Sequence, residues 1–195
     1  MNVAVIFYSL YGDTAALADA VAAGAEQAGA TVRLRKVAGL AAPDGRSATS
    51  ERIRAAREHL ASVPLARVDD LLWADGIALG SPARYGAMSA ELRRFLDGSP
   101  HLAGDLAGKV ACVFCSPSPI RGSQRAVLHA MIAALLRQGA LVQAPALAEM
   151  DAAGAAARRG GPPWAAEGEA AARLDLAPAR ALGRRLALVE RRIHG

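Results

Sequence analysis

The residues with the most chemical promise lie in Ser9-Leu10-Tyr11-Gly12-Asp13-Thr14, a short polar run between two apolar segments. Before it stands Val3-Ala4-Val5-Ile6-Phe7-Tyr8, whose length and β-branched and aromatic content suit a buried strand, although periodicity alone equally admits a buried helical segment. After it, Leu17, Val21 and Ala25 recur at helical spacing. A strand, a small polar turn and a helix start together aim backbone N–H groups at an anion, and the helix dipole adds favourable potential at the same place. The chemistry implied is capture of a phosphate at the carboxyl end of a strand. The rival reading is that Ser9 or Thr14 does no more than cap the helix. Neither GxGxxG nor GxxxxGK(S/T) is present, so the phosphate would be a single one, and a mononucleotide such as FMN suits it best.

Other chemistries find less support. Cys112 and Cys115 match C-x-x-C, but residues three apart on a strand face opposite sides, whereas reactive pairs sit at exposed helix starts. Two buried cysteines are expected. His59, His129 and His194 have no ligand-like spacing, so no metal is expected. Glu91 and Asp97 read as a helix surface rather than an acid–base pair. Ser9 and Ser116 lack the G-x-S-x-G elbow of a serine nucleophile.

The elements that must position the polar run follow in order. Gly29 is placed as the C′ residue of the first helix. Thr31–Val37 alternates apolar and polar, as a half-buried strand near a sheet edge does. Glu51–Ala61 forms a short helix inside a surface excursion. Asp69–Ala74 is a helical turn leading into a central strand, Gly76–Gly80. A second loop, Ser81–Met88, follows, with Pro82 fixing its direction and Gly86 allowing positive φ; then comes a helix, Ser89–Asp97. Lys109–Cys115 is the next buried strand, and Ser116–Ser123 is the third loop. Gln124–Gln138 is an amphipathic helix with Val127, Met131 and Leu135 inward, stopped by Gly139. Ala140–Ala144 is a fifth strand, and Pro178–Ile193 is a closing helix. Met150–Leu174 is poor in large hydrophobics and reads as a long loop.

Strands alternating with helices give a parallel sheet covered on both faces. Five such units suggest an α/β, flavodoxin-like, doubly wound sheet of order 2-1-3-4-5. Residues 1–195 form one domain, with surface insertions at 38–66 and 147–175. In that order strands one, three and four are neighbours, so the loops after them converge on one crevice at the topological switch point.

Composition sets the outer limits. The 195 residues are 53% hydrophobic, enough for a sizeable core. Met1 leads into a strand without a basic leader, no apolar run has the length of a membrane span, and two cysteines make no disulfide framework. A cytoplasmic protein without membrane contact is expected. The net charge of +5 comes almost wholly from arginine. Arg180, Arg184, Arg185, Arg191 and Arg192 form the solvated face of the closing helix, with Leu182, Leu186, Val189 and Ile193 buried. No base-reading motif accompanies them, so nucleic acid is not an expected partner. A positive surface suits anionic substrates such as nicotinamide dinucleotides.

Ser9-Leu10-Tyr11-Gly12, Gly80-Ser81-Pro82-Ala83-Arg84-Tyr85-Gly86-Ala87-Met88 and Phe95-Leu96-Asp97 resemble the WrbA family of flavodoxin-like proteins. The second stretch is the most specific; the family pattern there is Gly-Ser/Thr-Pro-Thr-Arg-Phe/Tyr-Gly-Asn-Met. The resemblance spans most of the chain, with Pro163-Trp164 standing where the family has Pro-Tyr-Gly. It implies an FMN-dependent NAD(P)H:quinone oxidoreductase that assembles as a homo-tetramer. Hydride would pass from NAD(P)H to the flavin, and a quinone would then take two electrons in the same space, a ping-pong scheme with no catalytic side chain. By the resemblance, Ser9, Leu10, Tyr11, Gly12, Asp13 and Thr14 hold the FMN phosphate. Ala83, Arg84 and Tyr85 border the isoalloxazine ring, and Ser116, Pro117, Ser118, Pro119, Ile120 and Arg121 cover its other polar edge and the ribityl chain. Tyr11 contacts the nicotinamide nucleotide, His101 stands over the substrate site, and Arg137 replaces a family His contributed to a flavin site. The departures are physical ones. Pro117 and Pro119 lack the N–H donors the family uses there, and Asp13 brings a carboxylate near a phosphate. They support an alternative function, a flavodoxin-fold binding or scaffold protein with weakened FMN binding.

Overall fold

The computed structural model describes residues 1–40, 51–83, 86–98, 104–116, 123–145 and 176–195, apart from the side chains of residues 52 and 53. Residues Val3–Phe7 are fully buried in β1 (Asn2–Phe7), so the first apolar run is a strand and not a helix. β1 pairs in parallel with β2 (Thr31–Lys36) on one side and β3 (Gly76–Pro82) on the other. β3 pairs with β4 (Val110–Ser116), and β4 with a two-residue β5 (Leu141–Val142). The sheet is all-parallel with order β2-β1-β3-β4-β5, as the alternation of elements implied.

Six helices cover it among the described residues: α1 (Asp13–Gln27), α2 (Glu51–Ser62), α3 (Val68–Trp73), α4 (Ala90–Asp97), α5 (Ser123–Arg137) and α6 (Ala177–His194). Successive strand residues point to opposite faces and so feed two cores. Ala4, Ile6, Ile77, Leu79 and Val113 pack with Leu71, Leu92 and Met131 from α3, α4 and α5. Val3, Val5, Phe7, Ala78 and Phe114 pack with Leu17 and Val21 of α1 and Leu182 and Leu186 of α6. Cys112 and Cys115 fall in different cores, both buried, as their spacing on a strand requires. Burial pushes the Cys115 thiol up to about 12 and the Cys112 thiol further.

Helix ends and helix contacts fix how α1 presents its first turn. At Gly29, with φ 84°, the chain leaves α1 through paired bonds, Gly29 N–H to the Glu26 carbonyl at 2.8 Å and Ala30 N–H to the Ala25 carbonyl at 3.1 Å. Along its length α1 leans on α6 more tightly than any side chain would allow. A Cβ on Gly24 would stand 2.0 Å from the Arg180 carbonyl oxygen, and one on Gly183 would stand 1.9 Å from that of Val21. On the other face, buried Asp70 accepts bonds from Arg33 Nη1 at 3.3 Å, Arg35 Nε at 3.2 Å and the Arg67 backbone N–H at 3.0 Å, tying α3 to β2. The Lys109 ammonium donates to the carbonyls of Leu71, Leu72 and Ala74 at 2.9, 2.8 and 2.7 Å, which closes the end of α3.

Several boundaries differ from the sequence reading. β3 continues through Ser81 and Pro82, which pair with Cys115 and Ser116. The N–H that Pro82 lacks would face β1, whose last contact at that level is the Tyr8 N–H to the Gly80 carbonyl, so the proline interrupts no ladder. β5 is two residues long rather than five. Ile193 is 48% exposed instead of buried, because α6 outruns the sheet it packs on, while Leu182 and Leu186 are buried and Val189 partly so. Among the described residues no helix is long and apolar enough to cross a membrane.

Candidate functional site

Phe7, Gly80 and Phe114 lie in one row across the sheet. The chain leaves that row within two residues on each strand, at Ser9, Pro82 and Ser116. Because β2 sits on one side of β1 and β3 on the other, the three departures open at the switch point of the sheet.

The first loop is built around Gly12. It is the N-cap of α1 at φ 96° and ψ −22°, a left-handed conformation, and it offers the helix no side-chain cap. Ser9, 8% exposed, accepts the Gly12 N–H on its Oγ at 3.2 Å. Its bond holds the turn rather than capping α1, and Thr14 lies inside the helix, buried. The capping reading of Ser9 or Thr14 is thus not what the turn does. Asp13 opens the helix, where its charge suits the dipole. Leu10 is half-buried and Tyr11 is 45% exposed. Nothing in the residue order marks the neighbour of this turn: a Cβ on Gly12 would stand 2.7 Å from Ala56 Cβ, and His59 Nε2 reaches Asp19 Oδ2 at 3.0 Å, so α2 lies against α1 from its start.

The second loop is closed by a hydroxyl. Ser81, fully buried, accepts the Ser89 N–H on its Oγ at 2.9 Å and donates to the Pro82 carbonyl at 3.1 Å. Ser89 in turn caps α4 by accepting the Leu92 N–H at 3.2 Å. Both ends of the loop are therefore held together. Ala83 and Met88 pack on the core, and Gly86 has φ 75°, the freedom expected of it. Ser116, 5% exposed, ends β4. Arg84, Tyr85, His101, Pro117, Ser118, Pro119, Ile120 and Arg121, together with Met150–Leu174, lie outside the described residues.

Arg137 is not brought to this edge within one chain. It is the last residue of α5, exposed, beside the Gly139 that bonds Gly108 ahead of β4, and so at the opposite end of the sheet. A helix of that length spans roughly 20 Å. The signal for Ser81 and Ala56 was weak in the sequence, since a buried serine and a helix alanine gain their roles only from what they touch.

The model of the NADPH-dependent FMN reductase family matches residues 1–153. The chain belongs to the NADPH-dependent FMN reductase family. Relatives of this family member include an NAD(P)H dehydrogenase (quinone) of Geobacter sulfurreducens, 34% identical over 207 residues and covering 100% of both chains. That of Solidesulfovibrio magneticus is 39% identical over 147 residues, 73% of this chain and 70% of the relative. Among solved structures, the flavodoxin, WrbA-like protein from Agrobacterium tumefaciens superposes with a TM-score of 0.61 at 24% identity, covering 98% of each chain. A flavodoxin from the domain Archaea gives 0.63 at 18% identity, covering 98% of this chain and 99% of that one. These two share the fold of the FMN reductase-family chain, and the resemblance to WrbA proteins holds.

Proposed function

We propose that the protein is an FMN-dependent NAD(P)H:quinone oxidoreductase in which the two substrates use one space in turn. The observation that carries this is the row of three strand ends beside an α1 start that has no side-chain cap and turns on a left-handed Gly12. Family membership and the names of the relatives support it. The residues fit the cofactor: first-turn amides, the helix dipole and the Ser9 hydroxyl suit one phosphate. When bound, FMN supplies a two-electron relay between nicotinamide and quinone.

The chain's own part is to bind, orient and exclude. Ser9, Leu10, Gly12, Asp13 and Thr14 hold the phosphate end, and Tyr11, exposed at the rim, meets the nicotinamide nucleotide. By the family resemblance, Ala83, Arg84 and Tyr85 would border the ring, the residues Ser116 to Arg121 would close its other edge, and His101 would face the substrate. Arg137 would serve a flavin site only across a subunit boundary, and the reading takes the chain to assemble as a homo-tetramer. The chain is one domain and works in the cytoplasm.

The test is direct. The purified protein, supplied with FMN, is followed for NADH and NADPH oxidation with benzoquinone. Flavin-dependent turnover with parallel double-reciprocal lines is expected; no flavin-dependent turnover refutes the proposal. Pro117 and Pro119 favour a second reading, a flavodoxin-fold scaffold without tight FMN binding. Flavin-fluorescence titration separates the two, since micromolar or tighter FMN binding excludes the scaffold.

A further inference from the structure

We infer that the exposed face of α6 is a docking surface for an anionic lipid bilayer. Five arginines against one glutamate put a charge of +4 on this helix, out of +5 for the whole chain, so the rest of the sequence is close to neutral. The positive charge is therefore gathered in one place and not spread by a general use of arginine. The single carboxylate does not dilute it, because Glu190 is buried and paired with His194 at 3.3 Å. Arg180, Arg184, Leu188, Arg191 and Arg192 are all exposed, and their helical spacing sets them in one stripe. That stripe is roughly 18 Å long at a rise of about 1.5 Å per residue. No ion pair engages Arg180, Arg184 or Arg192 among the described residues.

Three kinds of partner could answer such a face. A second copy laid against it face to face would set arginine against arginine. A nucleic acid would take the charges, but α6 has no aromatic side chain on which a base could stack, and the apolar members of the face would gain nothing. A bilayer uses both. Leu188, 49% exposed, stands within the row of arginines, and Ile193, 48% exposed, lies at its end where α6 outruns the sheet. The guanidinium groups meet lipid phosphates while the two apolar side chains enter the headgroup layer. A helix lying on a surface needs no spanning run, so the lack of one among the described residues does not bear on this contact. The cytoplasmic leaflet is the anionic one, and it faces the compartment proposed for the chain. No residue of the stripe belongs to the three loops, so this surface does not rest on the flavin reading.

The test is co-sedimentation of the protein, as purified, with vesicles of phosphatidylcholine and phosphatidylglycerol in about equal parts, and with vesicles of phosphatidylcholine alone. Wild type is expected to pellet with the anionic vesicles only, in about 0.1 M salt, and to be released near about 1 M, where screening acts within roughly 3 Å. Each arginine near the surface strengthens attachment about fivefold, so Arg180→Gln, Arg184→Gln and Arg192→Gln together should weaken it about a hundredfold. Leu188→Asn keeps every charge and should weaken it at least about fivefold. All four side chains are exposed, so the Tm of each variant should stay within about 2 °C of wild type. No attachment to anionic vesicles, equal attachment to neutral ones, or undiminished attachment of either variant overturns the inference. Binding of mixed-sequence duplex DNA at a salt concentration that frees the vesicles also overturns it, since the face would then serve nucleic acid.

Discussion

Replacing Gly12 by alanine tests the first loop at its tightest point. Two penalties act together. The residue sits at φ 96°, where a side chain costs on the order of 1–3 kcal/mol. Its Cβ would also stand 2.7 Å from Ala56 Cβ, an atom fixed to a helix backbone, and overpacking of this kind costs typically about 1–3 kcal/mol. A loss of chain freedom in the unfolded state returns about 0.4–1 kcal/mol. The expected net loss is about 3 kcal/mol, or roughly 6–12 °C in Tm for a chain of this size. FMN affinity should fall at least about tenfold, the value of one charge-assisted hydrogen bond. Ala56→Gly separates the two penalties. Alone it costs about 1 kcal/mol, for a glycine inside α2. Combined with Gly12→Ala it removes the collision and leaves the backbone strain. A double-mutant cycle from denaturant melts should therefore show a favourable coupling of about 1–3 kcal/mol. Coupling within about 0.5 kcal/mol of zero would refute the contact between α2 and the loop. Unchanged FMN affinity in Gly12→Ala would refute the loop as a phosphate cradle.

Three other outcomes are expected. Gly183→Ala pushes α6 off α1 because the obstacle is the Val21 carbonyl, so a loss of about 3 kcal/mol or more should appear in urea melts even though alanine favours the helix. Ser81→Ala leaves the Ser89 N–H unanswered in a buried place, costing about 1–3 kcal/mol by thermal melt and raising KM more than it lowers the cofactor content. The cysteines should resist thiol reagents at pH 8 until the protein unfolds. Because folding raises the Cys115 thiol from 9.0 to about 12, the unfolded chain loses that proton first; this contribution to stability is complete below pH 9 and drains away as pH climbs toward 12, which a melt series across that range would record.

Much of this frame could be read from residue order, and the reasons are local. Gly29 and Gly139 end their helices in the sequence as they do in space, because a left-handed residue after the last turn is a demand glycine meets alone and cheaply. The split of Cys112 and Cys115 between two faces followed from the period of a strand. What escaped is whatever depends on a distant partner. Pro82 looks like a strand breaker until β1 is seen to stop short of it. Gly24 and Gly183 look like helix weaknesses until they meet backbone to backbone. Ile193 continues an apolar stripe that the sheet beneath is too small to cover. At the site, the polar turn was visible from its residue types. Ala56, which closes over it, and Ser81, which ties the second loop, have no marking of their own.

The seating of α1 on α6 has a consequence for how the molecule is made. At synthesis rates of about 5–20 residues per second, the interval between Gly24 and Gly183 emerging lasts roughly 10–30 s. Through that interval the greasy flank of α1, with Leu17 and Val21, waits for a cover that has yet to be translated. A nascent chain in this state is a natural client for a holding chaperone, and the polar turn at the head of the same helix would gain its final rigidity only when the last helix docks.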